Sequence, residues 1–213
     1  MPGRIYEATG GRLFAAIYDR LMADAEDEGL ADMRERLLSN ARGATLELGA
    51  GTGSNLQHYP QDVTDLVLTE PSEHMARRLR AKVAARGRKA EVILAPGERL
   101  PFEDDRFDTV VGTLMLCTAP DPAAVLREVA RLLRPGGQLL FLEHVRSDDP
   151  KLARWQDRLE GPWQYLAAGC HPNRDTLAAI RASGLSVDDV ERGRFPKTPA
   201  LVRPLISGRA TRS

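Results

Sequence analysis

Two cysteines, Cys117 and Cys170, in a chain of 213 residues are too few for a disulfide framework. The four histidines, His58, His74, His144 and His171, show no ligand spacing, so no metal is expected. Charge of one sign is missing too. Thirty basic and 30 acidic side chains give a formal net charge of zero, which leaves no global field to gather nucleic acid or an anionic membrane. Long apolar runs are absent: the stretch from Asp108 to Cys117 is far short of a bilayer span. The opening residues, MPGRIYEATG, lack the charged-then-apolar layout of a signal peptide. These absences predict a cytoplasmic protein with no transmembrane anchor and no nucleic-acid partner. No repeat, low-complexity stretch or linker interrupts the chain, so one domain with a substantial core is expected.

What the chain does have is centred on Thr45 to Asn55, TLELGAGTGSN. Leu46, Glu47 and Leu48 form an apolar run ending beside a carboxylate, as in a strand buried on both faces of a parallel sheet. Gly49, Gly51 and Gly53 follow at alternate positions, where a tight turn and a close ligand approach exclude side chains. Ser54 or Asn55 is expected to open the next helix, its unpaired N–H groups facing the ligand. The dinucleotide fingerprint spaces its third glycine differently, and the Lys-Ser/Thr pair of a P-loop is missing. Glu47 would repel phosphate but suits an amino group or sulfonium, which disfavours a nicotinamide oxidoreductase.

Taken in order, Leu13, Phe14, Ile17 and Leu21, then Leu30, Met33, Leu37 and Leu38, recur at helical steps and predict two helices broken near Gly29. A second strand over Asp65 to Thr69 ends at Glu70, placed to accept two ribose hydroxyls. Pro71 and Ser72 start a helix with Met75, Leu79 and Val83 on its buried face, and Gly87 stops it. Further strands are expected at Glu91 to Ala95, Phe107 to Thr113 and Gln138 to Val145, with a helix capped by Asp121 before the last of these. Asp148 to Gly169 is an insert with Trp155 and Trp163 at helical steps, interrupted at Gly161-Pro162. Its tryptophans either pack on the sheet or wall an acceptor site. Another helix spans Arg174 to Ser183, a strand follows from Leu185 to Glu191, and the tail from Phe195 to Ala210 closes the sheet as an edge hairpin.

The Gly-rich stretch, Glu70, the Phe107 strand and the helix-LRPGG-strand unit together resemble the class I S-adenosylmethionine (SAM) methyltransferases, in four ordered motifs from about Leu46 to Val145. TLMLCTAPDP, EHV, the WQ and EGPW pairs, and GC before Asn173-Arg174-Asp175-Thr176 are similar to the thiol S-methyltransferase-like group and its bacterial relatives. The resemblance implies an α/β Rossmann-like fold: a seven-stranded, mostly parallel sheet with helices on both faces, an antiparallel last strand and N-terminal helices. It divides the chain into a helical cover (1–42), a cofactor core (43–146), a helical insert (147–184) and C-terminal strands (185–213). It implies SAM as cofactor, S-adenosylhomocysteine as product and a small-molecule methyl acceptor, thiol first. O- or N-methylation of a small molecule or phospholipid headgroup, or SAM binding without turnover, are the alternatives.

The implied cofactor contacts are Glu47, Gly49, Ala50, Gly51, Gly53, Asn55, Glu70, Pro71, Met75, Gly97, Glu98, Thr113 and Leu114. Pro96 stands where the group often has an adenine-binding aspartate, so Glu98, a backbone carbonyl or water is expected to meet the adenine amine instead. Tyr18, Cys117, Trp155, Trp163 and His171 fall on the substrate side, and the Tyr18-Asp19 segment would close over the cofactor. His144, at a strand end facing the site, is the candidate catalytic base for forming a thiolate, ahead of His171 and Cys170. The mammalian members carry a membrane anchor that this sequence does not show, which implies a soluble relative.

Overall fold

A computed structural model describes residues 11–213, with the side chains of residues 11–15, 17 and 21 outside that description. The expected stripe of Leu13, Phe14, Ile17 and Leu21 therefore lies outside the described side chains. The chain forms α1 (Gly11–Ala25), a π turn (Glu26–Leu30), α2 (Ala31–Leu38), β1 (Gly43–Leu48), β2 (Val63–Thr69), α3 (Glu73–Arg86), β3 (Glu91–Ile93) and β4 (Phe107–Thr113). It continues through α4 (Pro122–Leu132), β5 (Leu133–His144), α5 (Pro150–Leu166), α6 (Thr176–Ala182), β6 (Ser186–Arg194), a 3-10 turn (Ala200–Val202) and β7 (Pro204–Thr211).

The strands lie in the order β3-β2-β1-β4-β5-β7-β6, with β7 antiparallel to both neighbours and the other pairs parallel. The seven-stranded fold is thus the expected one. The chain winds outward from β1 toward β3 and then returns to wind the other way from β4. The crevice between the carboxyl ends of β1 and β4 is where such a sheet takes its ligand.

Strand alternation splits the core. Leu46, Leu48, Val110, Leu139 and Phe141 pack on the face covered by α4 and α6. Leu66, Leu68, Val111, Leu140 and Leu142 pack on the other, with Leu30 and Leu38 of the N-terminal segment and Leu79 of α3. Local chemistry sets the ends of the helices. Gly29, at φ 120°, breaks the N-terminal segment as expected. Asp121 accepts from the Ala124 N–H at 2.9 Å ahead of Pro122, and Ser72 from the Met75 N–H at 3.5 Å.

Several expectations change. No α-helix opens at Ser54 or Asn55. Residues 51–58 form a series of turns, with Gly53 N donating to Ala50 O and His58 N to Asn55 O, both at 2.9 Å, because the Asn55 side chain is spent on the interior and Pro60 stops any continuation. β3 ends at Ile93, two residues early, before Pro96. The tail strand β7 is internal, and β6 is the edge. Gly161-Pro162 does not interrupt α5, which runs through both. Pro162 and Arg158 are exposed, so the carbonyl that loses its intrahelical donor is on the solvent side.

One buried side chain fastens α5 to the sheet. The Gln156 amide donates to the carbonyls of Val145 (3.2 Å), Pro172 (2.8 Å) and Leu201 (2.8 Å), and its oxygen accepts from Ser147 N (2.8 Å).

Candidate active site

At the end of β1 the chain turns through Gly49 (φ 60°) and Gly51 (φ 57°). A Cβ at Gly49 would stand 2.9 Å from that of Met115, whereas one at Gly51 would meet nothing within 4 Å. The first glycine is required by packing against the β4 end and the second leaves open space. Glu70, buried after β2, accepts from Gly51 N (2.8 Å) on one oxygen and from Ser72 N (2.9 Å) on the other. Thr52 donates to Asp19 of α1, and Asp19 pairs with Arg78 of α3 at 3.4 Å, so the N-terminal helix reaches across the turn. Tyr18 lies within electrostatic reach of Arg34, Cys117, Glu26 and Glu70, and its hydroxyl is pushed up to about 12, chiefly by burial.

Beneath the turn lies a buried polar network. Arg34 of α2 donates through Nη1 to Asn55 Oδ1 (2.8 Å) and Thr113 Oγ1 (3.0 Å), and through Nε to Glu26 (3.1 Å). Asn55 Nδ2 donates to Glu47 Oε1 and to Thr113 Oγ1, both at 2.9 Å. The Tyr59 hydroxyl donates to Glu47 Oε2 at 2.7 Å. Burial pushes Glu47 up to about 7, against the pull of Tyr59, Asn55 and Arg34, and pushes the Tyr59 hydroxyl well above its usual value. Glu47 therefore braces the turn from below, with both oxygens engaged by neighbouring side chains.

The β4 side is built differently. Leu114 takes φ 55°, a left-handed backbone that costs a leucine energy, and its N–H is held by Leu142 O at 2.8 Å. Glu143 of β5 accepts from the backbone N–H groups of Met115 (2.8 Å), Leu116 (2.9 Å) and Cys117 (3.4 Å). Burial pushes its carboxyl up to about 7, opposed by these bonds. Beyond it, His144 Nε2 stands 3.1 Å from Cys170 Sγ, and Trp163 donates to the same sulfur at 3.3 Å. The neighbouring Cys170 thiol, with burial, raises Cys117. The Cys117 thiol, aided by His144 and Trp163, draws Cys170 down against its burial. The Arg174 guanidinium reaches Leu116 O alongside.

The structure gathers Glu47, Asn55, Glu70 and Thr113 around the crevice, with Gly49, Ala50, Gly51, Gly53 and Leu114 in its turns. Met75 is buried in α3 and Pro71 is exposed. Gly97 packs toward Val125 and Met115, and Glu98 accepts weakly from Asp121 N at 3.4 Å. His144 is only 3% exposed and its Nε2 faces a cysteine, so the ring does not meet an open cleft as the expected base would. His171 Nδ1 is taken up by Glu160 (2.7 Å) and Gln164 (3.0 Å). Trp155 is 54% exposed beside Arg158 and so is not buried against the sheet. Trp163 and Cys117 do meet, in a small apolar cluster with Cys170 and Val202. Arg34, Tyr59 and Glu143 went unnoticed in the sequence. In the sequence Arg34 is one more arginine on a polar helix, while the carboxylate of the EHV run is the signal that points to Glu143.

A methyltransferase domain family matches residues 46–141. The chain is also similar to the thiol S-methyltransferase TMT1B of Homo sapiens, 37% identical over 174 residues, which covers 79% of this chain and 70% of that relative. The chain belongs to the SAM-dependent methyltransferases. The phosphatidylethanolamine N-methyltransferase of Cereibacter sphaeroides is 36% identical over 117 residues, 54% of this methyltransferase and 57% of that protein. A SAM-dependent methyltransferase from Thermotoga maritima superposes with a TM-score of 0.70 over 100% of both chains at 20% identity, a likeness of fold. SAM is the cofactor of this methyltransferase. The crevice fits it: Gly51 leaves space where a side chain would stand, and the Glu70 carboxylate is fixed beside that space by Gly51 N and Ser72 N. Among the described residues, no helix of the methyltransferase is long and apolar enough to cross a membrane.

Proposed function

We propose that the methyltransferase alkylates the sulfur of a small, apolar thiol. The observation that carries this reading is the 37% identity to a thiol S-methyltransferase over 79% of the chain. Glu70 would take the ribose hydroxyls, Gly51 and Ala50 the approach of the cofactor backbone, and Thr113 and Leu114 the border of the transferable group. Bound SAM would supply a methyl group on a sulfonium; its transfer to a thiolate would leave two neutral thioethers, the product and S-adenosylhomocysteine, a loss of charge that a poorly solvated site favours.

The chain's own part is alignment and exclusion of water. Arg34, Asn55 and Thr113 lock the β1 turn to the end of β4. Glu143 fixes Met115 to Cys117 beside it, so apolar side chains form the wall where the sulfur must approach. Asp19 closes the turn from α1. We assign His144 no proton transfer, because its Nε2 is engaged with Cys170 inside the cluster. The thiolate then comes from the acceptor's own ionisation, with an ordinary thiol value near 8.5, roughly.

The test is transfer of labelled methyl from SAM to a panel of alkyl thiols, phenols, amines and phosphatidylethanolamine, with SAM binding measured on the same sample. Thiol methylation with the highest kcat/KM, rising with pH toward the thiol pKa, is expected. SAM binding with turnover on another acceptor class and none on thiols would discard the proposal.

A further inference from the structure

Cys117, His144 and Cys170 are far apart in sequence, yet one donor atom from each lies within 4.8 Å of the others, and all three residues are buried. Both cysteines are free thiols. We propose that the three side chains form a binding site for a single transition-metal ion that favours sulfur and imidazole ligands, zinc foremost.

The donor set is the first argument. Two sulfurs and an imidazole suit zinc, with water as a fourth ligand in a tetrahedral site. With metal–sulfur bonds of about 2.3 Å and a metal–nitrogen bond of about 2.0 Å, tetrahedral angles put sulfur and nitrogen roughly 3.5 Å apart. The observed His144 Nε2 to Cys170 Sγ separation is 3.1 Å, so this pair needs to open by only a few tenths of an ångström, and all three donor atoms already lie within 4.8 Å of one another.

Rigidity is the second argument. Cys117 sits in the segment whose N–H groups are held by Glu143, and His144 is the last residue of β5. The Cys170 loop is stitched to the Cys117 loop by His171 N donating to Cys117 O at 2.9 Å. The ligands therefore come from three separate elements already drawn together.

The surroundings are the third. Trp163 donates to the Cys170 sulfur, the outer-sphere contact that a metal-bound thiolate accepts. His144 Nδ1 is buried with no hydrogen-bond partner among the described residues. No described residue on the Nδ1 side holds the ring in one tautomer, so the proton can sit there, and a metal would take the place of any Nε2 proton now facing Cys170 Sγ. Two thiolates and a divalent ion sum to zero charge, in keeping with a wall of Val202, Trp163 and Ala167.

The test uses the whole chain purified without a metal-binding tag. Elemental analysis is expected to find close to one zinc per chain. After chelation, cobalt(II) reloading should give thiolate-to-cobalt charge transfer in the near ultraviolet and the intense visible bands of a tetrahedral site. Cys117→Ser and Cys170→Ser should each remove roughly half of the charge-transfer intensity, since each deletes one of two sulfurs. His144→Gln should lower metal retention while keeping both sulfurs. Circular dichroism and SAM titration verify folding in each variant, and the wild-type spectrum decides the matter if a variant fails to fold. A metal-free wild type with no charge-transfer band on cobalt loading, a band unchanged in both serine variants, or a Cys117–Cys170 disulfide in the freshly purified protein would overturn the proposal. None of these readouts depends on which acceptor is methylated.

Discussion

Glu47 and Glu143 are both buried carboxylates near carboxyl ends of parallel strands, both pushed up to about 7, yet they face opposite sides of the sheet and do different things. Glu47 is satisfied by side chains, Asn55 and Tyr59, and is one member of a network that ends in Arg34. Glu143 is satisfied by three successive backbone N–H groups. A carboxylate held by side chains can be repacked when its partners change. One that organises backbone sets the path of the chain, and its loss cannot be absorbed by rotamers.

The contrast can be broken at its strongest point by Glu143→Ala. With up to three buried donors orphaned, unfolding free energy should fall by about 3 kcal/mol, read from denaturant titration, and Glu143→Gln should recover part of it. A small loss would mean that the Met115–Cys117 segment holds itself. Arg34→Leu tests the other side. It strips Asn55, Thr113 and Glu26 of a donor and should cost about 2 kcal/mol, with SAM affinity reduced as the turn loosens. Glu70→Ala acts on ligand rather than fold. SAM should bind about 1 to 3 kcal/mol more weakly, seen by calorimetry, and unchanged affinity in a folded variant would remove Glu70 from the cofactor site.

Titration sharpens the comparison further. Both folded carboxyls hold their proton to about 7, against a reference value of 4.5. The folded state binds more protons than the unfolded one between those values, so stability should fall as pH rises through that window, by up to about 1.4 kcal/mol per pH unit for each group. Glu47→Gln should remove one share of that slope while leaving the fold intact. The smallest effect belongs to Trp155→Ser, which should change stability by less than about 0.5 kcal/mol because more than half of the residue is exposed.

The cofactor half of the site was legible because its signals are local. A buried strand, a Gly-rich turn and the acidic end of the next strand each occupy a few consecutive residues; the structure adds that turns replace the expected helix at Ser54 or Asn55 and that Asn55 and Tyr59 engage Glu47 from below. The other half depends on distant pairings. Cys117, His144 and Cys170 carry no ligand spacing along the chain, and Arg34 is one arginine among several on exposed helices until Asn55 and Thr113 are brought to it. Gly161-Pro162 misled for a related reason. The dipeptide breaks a helix only if the freed carbonyl has nowhere to go, and that depends on which side of α5 meets water.

Gln156 has a consequence for how this protein could diversify. Since one interior amide ties α5 to three other segments, the outward residues of that helix are free to drift while its attachment stays unchanged. New surface properties could be acquired there, by mutation or by design, without disturbing the strand ends below. A change at Gln156 itself would unfasten the cover as a unit, making this amide the hinge on which evolutionary tinkering with the outer layer turns.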